Sequence, residues 1–171
     1  MMDGLERRPV SVLRIGFPGF AAVADQLDGP AATARLGELL DLVTEAVLKH
    51  DGTVLLYDQA VLLAVWNAPH PQSNHARLAL QAAEAGMRAS AAAVKGSDLT
   101  VRGGLATGET LVGIAGSRIR RTYGVFGGLS EDADRLFWNA GRNRLAVSAR
   151  AWQEAGRLPY AGHPDPVVLA F

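Results

Sequence analysis

The chain has 171 residues, 49% hydrophobic and 20% charged, the size and mix of one globular domain able to bury about two-thirds of its unfolded surface. Seventeen basic and seventeen acidic residues cancel, so charge points to neither nucleic acid nor a membrane surface, and the absence of cysteine excludes disulfides, thiolate nucleophiles and zinc–thiolate sites. No apolar run reaches the roughly 18 residues of a membrane-spanning helix, and residues 1–9 lack the apolar core of a signal peptide. We expect a cytoplasmic protein with a tail over 1–9 and one domain over 10–171. The doubled Met1-Met2 reads as an edge, with flanking domains expected outside these residues.

Residues 10–17 (VSVLRIGF) read as a strand, broken by Pro18-Gly19. A short helical piece follows over 20–27. Pro30 suits the first position of a helix that runs to His50, with Leu36, Leu39, Leu40, Val43 and Val47 in one stripe. The chain is organised around the next stretch, a hairpin over 52–69. Apolar runs at 54–57 and 60–66 flank a tight turn at Asp58-Gln59, and both are expected in the middle of a sheet. Pro69-His-Pro71 is a rigid turn, and Ser73 or Asn74 caps an alanine-rich helix over 75–94.

Strands are predicted at 99–106 and 110–114 around a turn at Thr107-Gly108-Glu109. A basic connector spans 117–121, and a further strand 122–127. Ser130 caps a helix over 131–138. A strand at 144–148, a helix at 149–155 and a strand at 167–171 close the chain. The order β-α-α-β-β-α-β-β-α-β-α-β indicates an α+β fold and not a strictly alternating one.

Read in order, these segments resemble the catalytic domain of class III adenylate/guanylate cyclases. Val10-Ser-Val-Leu with Gly19-Phe20 matches the first strand and its turn. Gly52-Thr-Val and Ala64-Val-Trp-Asn-Ala-Pro69 match the central hairpin and its exit. His75-Ala-x-x-Ala-Leu80 matches the third helix. Thr107-Gly-Glu109, Val112-Gly113 and Gly116-Ser117 match a second hairpin. Arg120-Arg-x-Tyr123-x-Val-x-Gly127 and Ala133-x-Arg135-Leu136 match the segment after it. Each match is weak alone; the collinear set over 10–171 is specific. The resemblance implies a ferredoxin-like, antiparallel-rich sheet with flanking helices.

It also implies a mechanism. Such cyclases close the 3′-hydroxyl of ATP or GTP onto the α-phosphate and expel pyrophosphate. Two magnesium or manganese ions on two Asp activate the hydroxyl and clamp the phosphates. A Lys and an Asp read the purine, an Asn orients the ribose, and an Arg stabilises transition-state charge. The site lies between two chains, one giving the metals and the other the Asn and Arg.

Carried over residue by residue, the metal positions are Gly16 and Ala60, the purine-reading positions Leu56 and Gly128, and the Asn position Glu131. Only Arg135 matches. Magnesium needs hard oxygen ligands, which Gly16 and Ala60 lack, so no metal cofactor is expected. Asp58, two residues before Ala60, is a weak substitute ligand. Glu131 stands four residues before Arg135, is expected to pair with it, and brings negative charge toward a triphosphate.

These losses lead to the expectation of a domain that is not an enzyme, a degenerate homodimerising signalling module with an attached or partner signalling domain. Two alternatives stand beside it. One is a nucleotide-binding sensor in which Leu56 packs on a base and Arg135 holds phosphate. The other is a divergent cyclase using Asp58 and Glu131. The remaining signals carry little chemistry. Arg118, Arg120 and Arg121 read as a solvated connector, and His50, His70, His75 and His163 lack ligand spacing. Ser11 and Ser148 have no nucleophile elbow around them, and Gly103-Gly104 and Gly127-Gly128 are no dinucleotide fingerprint. Trp66, Trp138 and Trp152 read as packing anchors.

Overall fold

The structure is a computed structural model that describes residues 4–157 and 165–171. Five helices and seven strands follow among these residues, one strand fewer than the eight predicted strand segments because 99–106 and 110–114 fall on a single strand. The strands form one sheet in the order β2-β3-β1-β4-β6-β7, with β5 paired to β4 off that path. All pairings are antiparallel except β4 with β6.

The sheet is built on the long ladder between β1 (Leu5–Gly16) and β4 (Arg102–Gly116), paired from Leu5↔Gly113 to Gly16↔Arg102. β1 begins five residues before its predicted start. Pro9 is tolerated there because β3 (Val61–Trp66) pairs β1 only from Ser11 onward, so the missing N–H breaks no bond to that neighbour. β4 runs straight through Thr107-Gly108-Glu109, where a turn was predicted. Twelve residues of ladder hold that stretch extended, Thr107 bonds inward, and Gly108 leaves room for Leu129. Local polarity lost to strand pairing. The second hairpin is therefore β4 with β5 (Arg121–Val125), joined over 117–120.

The organising hairpin exists, shifted by one residue. β2 (Thr53–Asp58) and β3 meet at Gln59-Ala60, Gln59 taking the left-handed conformation at φ 54°. β3 is buried along its whole length, whereas β2 is an edge strand whose Leu56, Tyr57 and Asp58 are exposed. Only one of the two apolar runs is thus central.

Helices cover both faces. α1 (Phe20–Ala24), α2 (Gly29–Lys49), α3 (His75–Val94) and α5 (Ala149–Glu154) pack with Leu13, Ile15, Leu62, Ala64, Trp66 and Leu105 in the larger core. α4 (Gly128–Asn139) packs alone on Val10, Val12, Leu63, Val65 and Ala106. Asp28 caps α2 by accepting from Ala31 N at 2.8 Å, with Pro30 in the first turn. α4 begins three residues before its prediction. Gly127 is its N-cap without a side-chain bond, and Ser130 lies inside the helix. Ser148, predicted to end a strand, caps α5 by accepting from Ala151 N at 3.2 Å. β6 (Arg144–Val147) and β7 (Val167–Ala170) complete the sheet.

The glycine doublet Gly103-Gly104 has a packing role. A methyl on Gly104 would lie 2.3 Å from Ala133 O and 2.4 Å from Phe137 N, so α4 rests its backbone directly on β4. A methyl on Gly103 would lie 2.7 Å from Leu145 Cδ1 on the other face.

Candidate functional site

The groove beside α4 is defined by strand pairing. Side chains directly across a sheet share a face. Leu56, Leu63, Arg14 and Gly104 therefore form one row, and Asp58, Val61, Gly16 and Arg102 form the next. Both rows face α4.

The two positions expected to hold metal ligands do meet. Gly16 pairs with Val61, and Phe17 N donates to Ala60 O at 3.0 Å. A methyl on Gly16 would lie 2.3 Å from Ala60 O and 2.5 Å from Val61 Cα, so even the first atom of a carboxylate side chain has no room. Ala60 is buried in the core with α2 and α3. Neither position offers an oxygen-bearing side chain, and no cluster of three His, Cys, Asp or Glu suited to a metal occurs among the described residues. The two ions that the resemblance implies do not fit these residues.

Asp58 sits across Val61 from Gly16, about two strand spacings or ~9.6 Å away along the row. It is committed elsewhere. Arg14 Nη2 bonds Asp58 Oδ2 at 3.0 Å, and Arg14 Nε lies 2.9 Å from Asp134 Oδ1 on α4. Arg14 is the residue that sequence reasoning missed. Its position in an apolar strand, two residues before Gly16, was the available signal.

Arg135 and Glu131 lie on α4, both exposed. The expected Glu131–Arg135 pair is not formed; Arg135 instead pairs with Asp132, three residues before it. Both three- and four-residue spacings bring side chains together on a helix, and Asp132 wins here. Arg135 lines a cleft of about 340 Å³ with Thr107, Leu129, Asp132, Ser148 and Arg150. Arg150 there is paired with Glu154 at 2.7 Å. Gly128 is open, with nothing near enough to meet an added methyl. A larger cavity of about 750 Å³, at the end of α3 beside Lys95, Arg142 and Phe171, contains none of these positions.

A buried polar chain lies on the other face of the sheet, against the start of α3. Ser11 Oγ lies 2.8 Å from His75 Nδ1 and 2.6 Å from Thr107 Oγ1. Burial lowers the His75 pKa below its usual value, outweighing Glu154, which raises it, and adding to Arg150, which lowers it. Ser11 is wholly inaccessible, so the pair is no nucleophile and base for an external substrate. His50 Nδ1 donates to Ala46 O at 2.8 Å, a structural role, and His163 lies outside the described residues. Trp66 is a packing anchor as expected, its Nε1 donating to His50 O at 2.8 Å, while Trp138 is half exposed.

No protein-family profile matches the sequence. Adenylate cyclase 1 of Rhizobium meliloti (strain 1021) is 30% identical over 136 residues, 76% of this chain and 20% of that protein, so the chain spans about a fifth of that relative's length. Among solved structures, the adenylyl cyclase CyaB from P. aeruginosa superposes with a TM-score of 0.81 at 21% identity, covering 96% of this chain and 94% of that one. The guanylyl cyclase Cya2 does so with a TM-score of 0.74 at 25% identity, over 98% and 92%. These likenesses correct the expectation that the chain is not an enzyme. That expectation rested on missing side chains alone, whereas the proteins it resembles are cyclases by name and nothing in the fold shows the domain inactive. By fold and by sequence likeness, this chain is a class III adenylate/guanylate cyclase homology domain.

Proposed function

We propose that the domain binds ATP or GTP in the groove beside α4, as one half of a site shared with a second copy of the chain in a signalling protein. The observation that supports this most is Arg135. It is the one side chain that matches the family's site, it is exposed on α4, and it lines a cleft between α4 and α5 that does not include Leu56, Glu131 or Gly128. Its pair with Asp132 is a surface pair, worth about 0–1 kcal/mol, so exchanging it for a phosphate costs little. A guanidinium offers a planar fork to phosphate oxygens and stabilises charge that develops at the α-phosphate.

Other residues support the same ligand. Leu56 is exposed on the α4 face and gives a base an apolar surface. Gly128 leaves the space beside α4 open. Glu131 accepts hydrogen bonds from ribose hydroxyls, as the amide oxygen of an Asn does, at the expense of added negative charge.

Titration calorimetry with non-hydrolysable ATP and GTP analogues tests this reading. The expected result is saturable binding, weakened about tenfold, equivalent to about 1.4 kcal/mol, by Arg135→Ala. No heat with either nucleotide would sink it. The same preparation, assayed for cyclic AMP and cyclic GMP, reads turnover. Product that depends on Arg135 assigns cyclisation to this chain, and binding without product assigns sensing.

A further inference from the structure

Beside the positions assigned to metal ligands, one guanidinium, Arg14, is already set between two carboxylates, Asp58 and Asp134. Arg14 stands on β1 two residues before Gly16 and on the same face, about 6.6 Å along the strand. Its side chain is largely buried, at 17% exposure, while Asp58 and Asp134 stand at its two ends. The two carboxylates come from different elements, the hairpin and α4. The guanidinium donates from Nη2 to Asp58 and holds Asp134 beside Nε as an ion pair without hydrogen-bond geometry, an arrangement that the single ammonium of a lysine matches less well.

We propose that Arg14 is a built-in counter-ion for Asp58 and Asp134, and that no divalent metal, free or carried by a nucleoside triphosphate, is held between them. The proposal rests on the nucleotide reading above and deepens it. Three observations converge. Gly16 and Ala60 supply no ligand oxygen, and no side chain fits at Gly16 without moving the backbone of Ala60. Asp58, across Val61 from Gly16, and Asp134 on α4 are both paired with Arg14. A divalent ion entering between them would have to displace a guanidinium that cannot be deprotonated and cannot move far from a paired strand. Metal and Arg14 thus compete for the same oxygens, with Arg14 covalently in place.

The test begins with the native domain alone. Manganese is titrated in and the signal of the free ion is followed by electron paramagnetic resonance. The expected result is no bound manganese; stoichiometric binding that Asp58→Asn removes would overturn the proposal. Nucleotide affinity is then compared in EDTA and in magnesium. Equal affinity within twofold is expected, and a tenfold or greater loss in EDTA would also overturn it. Absence of nucleotide binding in both buffers would remove the nucleotide reading, while the manganese titration still decides the metal question. In Arg14→Gln the two carboxylates are released, and manganese is expected to raise the melting temperature of this variant but not of Arg14→Lys. A folded Arg14→Gln that manganese does not stabilise counts against Arg14 as the occupant, and if that variant does not fold, the native titration decides.

Discussion

At the scale of single residues, two polar side chains set the character of the molecule. Arg135 is exposed and changeable, since a surface pair with Asp132 holds it. His75 is buried and fixed between Ser11 and the start of α3. Burial lowers its pKa, so at pH values between the folded and unfolded pKa the unfolded chain binds a proton that the native chain does not. The sign follows. This contribution to stability is fully present above the unfolded value of about 6.5 and is lost as pH falls from there toward the lower folded value. Urea unfolding at pH 7.5 and at pH 5.5 should show the native chain losing more stability than His75→Gln. Equal losses would mean that His75 does not titrate differently in the two states. From sequence His75 was only a histidine without ligand spacing; its partner Ser11 lies 64 residues away on β1, and strand pairing sets Ser11 against Thr107 on β4.

At the scale of elements, α4 is placed by the absence of side chains. Gly104 lets the helix backbone touch β4, and Gly16 lets β1 approach the hairpin turn. Gly104→Ala should therefore push α4 outward and destabilise the fold by about 1–3 kcal/mol, read as a lower urea midpoint at unchanged m-value. Gly16→Asp, which restores a carboxylate to the expected metal position, should destabilise comparably and yield no manganese binding. A stable Gly16→Asp chain that binds manganese would show that the backbone of the turn yields easily. Sequence placed all five helices because their apolar stripes and breakers are local. It misplaced the Thr107 turn and the start of α4 because ladder pairing and helix seating are long-range.

At the scale of the whole molecule, the two faces of the sheet differ. Four helices cover one face, and α4 alone covers part of the other, leaving Leu56 exposed there and Phe126 exposed just before α4. No helix among the described residues is long and apolar enough to cross a membrane. A site built between two chains predicts self-association, with the mass of a dimer in sedimentation velocity at micromolar concentration and a shift toward monomer in Leu56→Asp combined with Phe126→Asp. A monomer at all concentrations would place the nucleotide groove within one chain.

The type of most elements and the family resemblance were fixed locally, by residue periodicity, turn chemistry and motif spacing along the chain. The sequence alone named Gly16, Ala60, Glu131 and Arg135 as the positions that the resemblance assigns to the site. Only the tertiary structure decided what surrounds them: that Gly16 has no room for a side chain, that Arg135 pairs with Asp132, and that Arg14 gathers Asp58 and Asp134 into the groove. The Arg14 contacts join residues 44 and 120 positions apart, brought together by strand register and by the seating of α4, which no window of sequence contains.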